Sequence, residues 1–176
     1  MLDFKKYDSK KIGILGLGMT GQSIFNSLSQ SKAEIFLWDD NVSIREKSLY
    51  CHEKIKNIND WPWERLDYFF PSPGVDLKKN FYSEKLKKYK TKLMSDISLF
   101  EEARGSVFPS GTLIAITGTN GKSSTAIMLY EILKSEGRDV RLGGNIGIPI
   151  LSLEPGTNQT IYIVEISSFQ IELTEN

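Results

Sequence analysis

The sequence predicts an α/β protein in two parts, and three observations carry that prediction. Near the start, an apolar run (residues 11–15, KIGIL) leads into Gly16-Leu17-Gly18-Met19-Thr20-Gly21 and then a helical pattern. Around residue 118 the same order recurs, with an apolar run, a glycine loop (GTNGKSS) and a helical pattern. Between them residues 105–111 (GSVFPSG) carry glycine at each end and a proline inside, the composition of a linker. Strand–loop–helix units on both sides of such a break predict two α/β sheets. The expected boundaries are 1–105 for the first domain, 106–111 for the linker and 112–176 for the second.

The first loop has the spacing G-x-G-x-x-G. Its helix places Ile24, Phe25 and Leu28 on one face, and the next strand (residues 34–38, EIFLW) ends at Asp39-Asp40. Glycines followed about 20 residues on by an acid form the Rossmann-like fingerprint, in which the acid bonds a ribose hydroxyl. Any nucleoside diphosphate can use that pattern, and so can a plain strand-to-helix turn. Residues 67–70 (DYFF) read as a strand running into Pro71-Ser72-Pro73-Gly74, which lies on the edge where open α/β sheets bind ligands. Residues 78–90 predict an amphipathic helix with a solvated lysine face. Residues 92–94 follow as a short strand, with Asp96 as N-cap of a helix over 97–104.

Beyond the linker, a strand is predicted over 112–117 and a helix over 123–135, with Ile127, Leu129, Ile132 and Leu133 facing inward. Gly137 suits its C-cap. Val140 and Leu142 mark a short strand, and residues 159–166 (QTIYIVEI) another. The loop between the first strand and helix predicts an anion site, because loop N–H groups and a helix N-terminus converge there. Lys122 adds a charge for terminal phosphates, and Ser123 a hydroxyl for a phosphate-bound Mg²⁺. The spacing G-x-x-G-K-S is shorter than the commonest P-loop. Together these features predict a nucleoside triphosphate site. Glu165 stands near the end of an apolar strand, either as a hard oxygen ligand for the same cation or as a solvent-facing strand residue.

Composition narrows the class. Hydrophobic residues make up 40% and charged ones 25% of 176 residues, ordinary for a globular protein with a real core. Lys+Arg and Asp+Glu both number 22, so no net charge draws the chain to nucleic acid or an acidic membrane. The single cysteine, Cys51, excludes an internal disulfide framework, and Cys51-His52 cannot complete a zinc sphere. The N-terminus lacks the apolar stretch of a secretory signal, and no run is long enough to span a bilayer. A cytoplasmic location is expected.

Taken in order, GLGMTG (16–21), SPG (72–74), GTNGKS (118–123), GGNIG (143–147) and EISSFQ (165–170) resemble one family, the Mur ligases of peptidoglycan synthesis. The resemblance covers nearly the whole chain. GTNGK[ST] is shared across that family, while GGNIG with EISSFQ points to its D-glutamate-adding branch. It implies a longer, three-domain chain, of which these residues supply the UDP-sugar domain and the first part of the P-loop ATPase domain. The first loop then takes the uridine diphosphate of UDP-N-acetylmuramoyl-L-alanine, with Gly18, Met19, Thr20, Asp39, Ser72, Pro73 and Gly74 in the site.

The resemblance also implies ATP and Mg²⁺ as cofactors, with Gly118, Thr119, Asn120, Gly121, Lys122, Ser123 and Ser124 around the nucleotide. Lys122 and Glu165 become the catalytic residues, and Ser123 and Glu165 the metal ligands. Asn145, Ser167 and Gln170 resemble the groups that hold the muramoyl-alanine end of the substrate. The family reaction activates the substrate carboxylate as an acyl phosphate, which the amine of D-glutamate attacks to give an amide, ADP and phosphate. The family's metal-binding histidine, its carbamylated lysine and its D-glutamate domain would fall beyond Asn176, so these residues are expected to bind ligand without forming the amide. One departure is Asp40-Asn41, where family members often carry threonine and arginine. Two other readings stand beside this one: an NAD(P)-dependent oxidoreductase using GLGMTG, and a Mur ligase adding L-alanine or a diamino acid.

Overall fold

The computed structural model describes residues 2–47, 52–73, 75–78, 80–89 and 91–174. Cys51 and Gly74 lie outside the described residues. The chain divides into two compact units, one spanning Phe4–Ser95 and the other holding Asp96 onward together with the first residues. Both carry parallel sheets, as the α/β reading predicts.

In the first unit, strands β1 (Lys11–Leu15), β2 (Glu34–Trp38), β3 (Tyr68–Pro71) and β4 (Lys92–Leu93) run parallel in the order β2-β1-β3-β4. Parallel neighbours need crossovers, and α1 (Met19–Leu28) and α3 (Asn80–Lys88) provide two of them. Strand β1 is central and buried along four of its five residues, which is why it reads as an apolar run and does not alternate. Helix α1 buries Ile24, Phe25 and Leu28 as its spacing predicts. Helix α3 buries Tyr82 and packs Phe81 and Leu86 on the core, with Tyr89 following. Lys85 and Lys88 lie over the Phe81 and Tyr89 rings at 5.7 and 4.9 Å, so its lysine stems cover aromatic surface.

The crossover from β2 to β3 has no counterpart in the sequence pattern. A six-residue helix α2 (Val42–Lys47) is followed by 3-10 turns at His52–Lys54, Ile58–Asp60 and Trp63–Arg65. These turns lay Trp61 and Trp63 in a cluster with Phe36 and Phe69, Trp63 standing 5.5 Å from Phe69. Both indoles donate their N–H to a backbone carbonyl, of Lys56 at 3.0 Å and Ile58 at 2.9 Å, so the rings are buried without an orphaned donor.

The second unit contains α4 (Asp96–Gly105), β5 (Thr112–Ile116), α5 (Lys122–Ser135), β6 (Val140–Gly144), β7 (Ile161–Glu165) and α6 (Ser168–Thr174). Its three strands are parallel in the order β5-β7-β6. Two expectations are corrected here. The chain divides before α4, not after it, and residues 106–111 fold within the second unit. Arg104 explains this. Its buried guanidinium takes Glu101 at 2.8 Å through Nε and again through Nη2, while Nη1 donates to the carbonyls of Phe108 (3.0 Å) and Gly111 (2.7 Å). A segment that reads as a linker by composition is thereby pinned to the helix before it.

The second correction concerns α5. Ala126 is buried, and Leu129, Tyr130 and Leu133 pack beside it against Val140 and Ile163. Ile127 and Ile132 face outward instead, Ile132 being 56% exposed. At 100° per residue, positions 126, 129, 130 and 133 form one stripe, and the sheet covers only that stripe.

Candidate functional site

Both glycine loops leave the carboxyl edge of a parallel sheet. In the first unit the strand order reverses direction between β1 and β3, so the crevice outside their ends is the topological switch point where such sheets take ligands. Gly16–Gly21 forms one wall of it and Ser72 the other. The Ser72 N–H donates to Leu15 at 2.7 Å, and its hydroxyl donates to the Gly16 carbonyl at 3.2 Å. Helix α1 begins here with Gly18 as N-cap, no side-chain cap and no acidic residue in its first turn. Its first N–H groups therefore have no intrahelical partner, the arrangement that favours a phosphate. Met19 is exposed at this end, and Thr20 and Pro73 are half-buried.

Asp39 is built into the loop itself. It is buried, one carboxylate oxygen accepting from Leu17 N at 2.7 Å and the other from Asn41 N at 2.8 Å. A carboxylate so held ties the glycine loop to the end of β2. Tyr82 points to the same strand end, 3.4 Å from an Asp40 oxygen, and burial together with that carboxylate pushes its phenol up to about 12.

In the second unit, Ile116, Glu165 and Gly144 are register partners across β5, β7 and β6, so the ends of all three strands align. The loop after β5 turns into α5 at Gly121, whose φ of +80° lies in the left-handed region that favours glycine. Lys122 folds its ammonium back over this loop, donating to the carbonyls of Gly118 at 2.7 Å and Thr119 at 3.3 Å. Thr119, Asn120 and Ser124 are exposed around it. Directly beneath, the Ser123 hydroxyl donates to a Glu165 oxygen at 2.6 Å. Glu165 is only 6% exposed, which removes the solvent-facing reading. A hydroxyl and a buried carboxylate side by side at a phosphate-type loop are two hard oxygen donors of the kind Mg²⁺ takes. Asn145 follows β6 with an exposed side chain, its N–H donating to the Glu165 carbonyl at 2.9 Å.

The described cavities, of about 270 and 210 Å³, lie elsewhere, around Trp63, Glu64, Arg65 and Tyr89. They are shallow and open toward the amino edge of the first sheet, away from that sheet's glycine loop.

Residues 116–175 match the family model of the Mur ligase middle domain. Over 98% of its length the chain is 36% identical to a UDP-N-acetylmuramoylalanine--D-glutamate ligase of Wolbachia pipientis wMel, covering 33% of that relative. Relatives with the same name from Wolbachia sp. subsp. Brugia malayi (strain TRS) and Rhizobium meliloti (strain 1021) are 36% and 34% identical over 98% of the chain, covering 34% and 38% of their lengths. The chain is thus similar to Mur ligases along nearly its whole length. It spans about a third of the length of these curated relatives.

Ser167 and Gln170 do not present two independent polar groups. The Gln170 side-chain oxygen accepts from Ser167 N at 2.9 Å and from its hydroxyl at 3.1 Å, and its amide donates to Asp96 at 2.7 Å. Gln170 is 1% exposed, so it fixes Ser167 and links α6 to α4, while Ser167 is the more accessible of the two. Asp96 is correspondingly more than a helix cap: it is the first residue of α4 and is buried beneath α6. Its partner stands 74 residues away, so no local pattern announces the contact.

Burial pushes the Asp96 carboxyl above its ordinary value of 3.8, and bonds from Gln170 and Ile97 N only partly offset this. The folded state therefore holds this proton more tightly than the unfolded state. Its contribution to stability is full below 3.8 and is lost as pH rises through the raised value. Asp96→Asn keeps an acceptor for Gln170 and removes the titration. Urea midpoints of both proteins across this range should diverge in favour of the variant as pH rises, then run parallel. A difference independent of pH would count against the assignment.

Proposed function

We propose that this chain is the UDP-sugar-binding and ATP-binding part of an ATP-dependent ligase that adds D-glutamate to UDP-N-acetylmuramoyl-L-alanine. The observation that carries this reading is the identity to D-glutamate ligases running through both units, so that both glycine loops find a use. An oxidoreductase reading uses only the first loop. Among the described residues no helix is long and apolar enough to cross a membrane, and a cytoplasmic setting for cell-wall precursor synthesis is part of the same proposal.

The first loop and the start of α1 would take the diphosphate of the sugar nucleotide, with Ser72 and Pro73 closing the crevice. Gly74 completes this set in the sequence but lies outside the described residues. The second loop would take the β- and γ-phosphates of ATP on the N–H groups at the start of α5 and on Lys122. Ser123 and Glu165 would hold Mg²⁺, which neutralises phosphate charge when bound. Phosphoryl transfer to a carboxylate brings two anions together, so the protein's part is positioning and charge compensation. Lys122 supplies the mobile positive charge. Asn145 and Ser167 would orient the muramoyl-alanine end, with Gln170 keeping Ser167 in place.

Calorimetric titration of the 176-residue chain with UDP-N-acetylmuramoyl-L-alanine and with NADH tests the substrate assignment. Heat of binding is expected with the UDP-sugar and none with NADH. NADH binding without a response to the UDP-sugar would overturn it in favour of the oxidoreductase reading.

A further inference from the structure

We propose that the groove between residues 61–67 and helix α3 is a docking surface for an acidic segment of a partner protein, with Arg65 as the residue that recognises it. The inference lies wholly within the first unit and does not rest on the UDP-sugar reading. The cavities of about 270 and 210 Å³ share Trp63, Glu64, Arg65 and Tyr89. Lys85 lines only the smaller and Thr91 only the larger, so together they run as one groove from α3 to the start of β4.

The polar groups of this groove are unequally matched. Glu64 accepts from the Tyr89 hydroxyl at 3.4 Å. Asp67 accepts from Lys11 N at 2.9 Å and from the Lys10 ammonium at 3.3 Å. Both acids that line the groove are therefore engaged. Arg65 is exposed, and among the described residues its guanidinium has no partner. The Thr91 hydroxyl is buried and likewise has no hydrogen-bond partner among them. An unmatched buried hydroxyl is costly, and a guanidinium pairs best with a carboxylate. The groove thus lacks acceptors. A carboxylate-bearing chain supplies them to both groups, side-chain oxygens to Arg65 and a backbone carbonyl to Thr91.

The rim carries the same sign as Arg65. Residues 78–92 hold seven lysines and one glutamate, in a chain whose net charge is zero. Lys85, Lys87 and Lys88 fall in the last turn of α3. Such a rim steers an anionic partner and disfavours a basic one. A protein segment fits better than other polyanions. Trp61 and Trp63 are buried with their N–H groups on backbone carbonyls, and Lys85 and Lys88 lie over Tyr89, so no ring is offered for a nucleobase to stack on. A flat bilayer cannot enter a groove to reach a buried hydroxyl.

The test measures binding of labelled probes to the 176-residue chain at low salt. The probes are a peptide of alternating glutamate and serine, its glutamine counterpart, a thymidine oligonucleotide and phosphatidylglycerol vesicles. The glutamate peptide should bind, and more tightly than the other three. R65A should weaken it about tenfold with the thermal midpoint unchanged. T91V should weaken it several-fold, with the midpoint unchanged or raised, because it removes an unmatched hydroxyl at nearly constant shape. K47A removes a positive charge from the exposed end of α2 and should stay within about twofold of native. Equal losses in R65A and K47A would reduce the effect to general charge attraction and overturn the site. So would native-like peptide affinity in R65A or T91V, no binding of the glutamate peptide, or tighter binding of its glutamine counterpart, the oligonucleotide or the vesicles.

Discussion

Replacing Lys122 with alanine is expected to lower Mg-ATP affinity on the order of a hundredfold while leaving the fold intact. The ammonium stands at the rim of the second loop, bonded among the described residues to the carbonyls of Gly118 and Thr119. Those bonds are solvent-exposed and contribute little to stability, so the thermal midpoint should shift by no more than a few degrees. The phosphates lose a charge-assisted partner, and the N–H groups at the start of α5 remain. Glu165→Gln is the informative comparison. It keeps an acceptor for the Ser123 hydroxyl and removes the negative charge, so it should weaken binding only when Mg²⁺ is present. Calorimetry with ATP, with and without Mg²⁺, separates the two. Native-like ATP affinity in Lys122→Ala would sink the role assigned to the lysine, and equal losses with and without the cation in Glu165→Gln would sink the metal role.

The second large effect is expected at Gly21, the last glycine of the first loop. It is buried in α1, and a Cβ there would stand 1.8 Å from the Gly16 carbonyl oxygen and 2.9 Å from its carbon. Both obstacles are backbone, and Gly16 is itself held by the Trp38 carbonyl and the Ser72 hydroxyl. The loop cannot yield without pulling α1 off the sheet. Gly21→Ala should therefore cost about 3 kcal/mol or more, at the upper end for added methyl groups. For a unit of this size that is a fall of about 12–24 °C in its melting temperature. Alanine at Gly18, where a Cβ meets nothing within 4 Å, is the control and should be nearly silent on stability. Comparable melting of the two variants would contradict this account of the loop.

How much of this was legible in the sequence depends on the range of the interaction. The strands β1 and β2, the glycine loops and the helices after them rest on neighbours a few residues apart, and they fall where composition and period put them. The pairing of Lys122 and Ser123 with a phosphate-type loop is equally local. The likeness to Mur ligases was legible there too, because five short motifs occur in one order along the chain.

The remaining features needed the folded chain. Trp61 and Trp63 follow no period, since 3-10 turns carry them and only the sheet beneath gives them a place in the core. The boundary moved from one end of α4 to the other because the buried Arg104 reaches forward to Gly111, a contact that glycine and proline content does not reveal. Asp39, read as a ribose ligand, has both oxygens held by backbone N–H groups, and Gln170 by a carboxylate 74 residues away. In each case the residue type was visible in advance. Its partners were set by which strands lie side by side and which helices cover them, and that is a property of the tertiary fold.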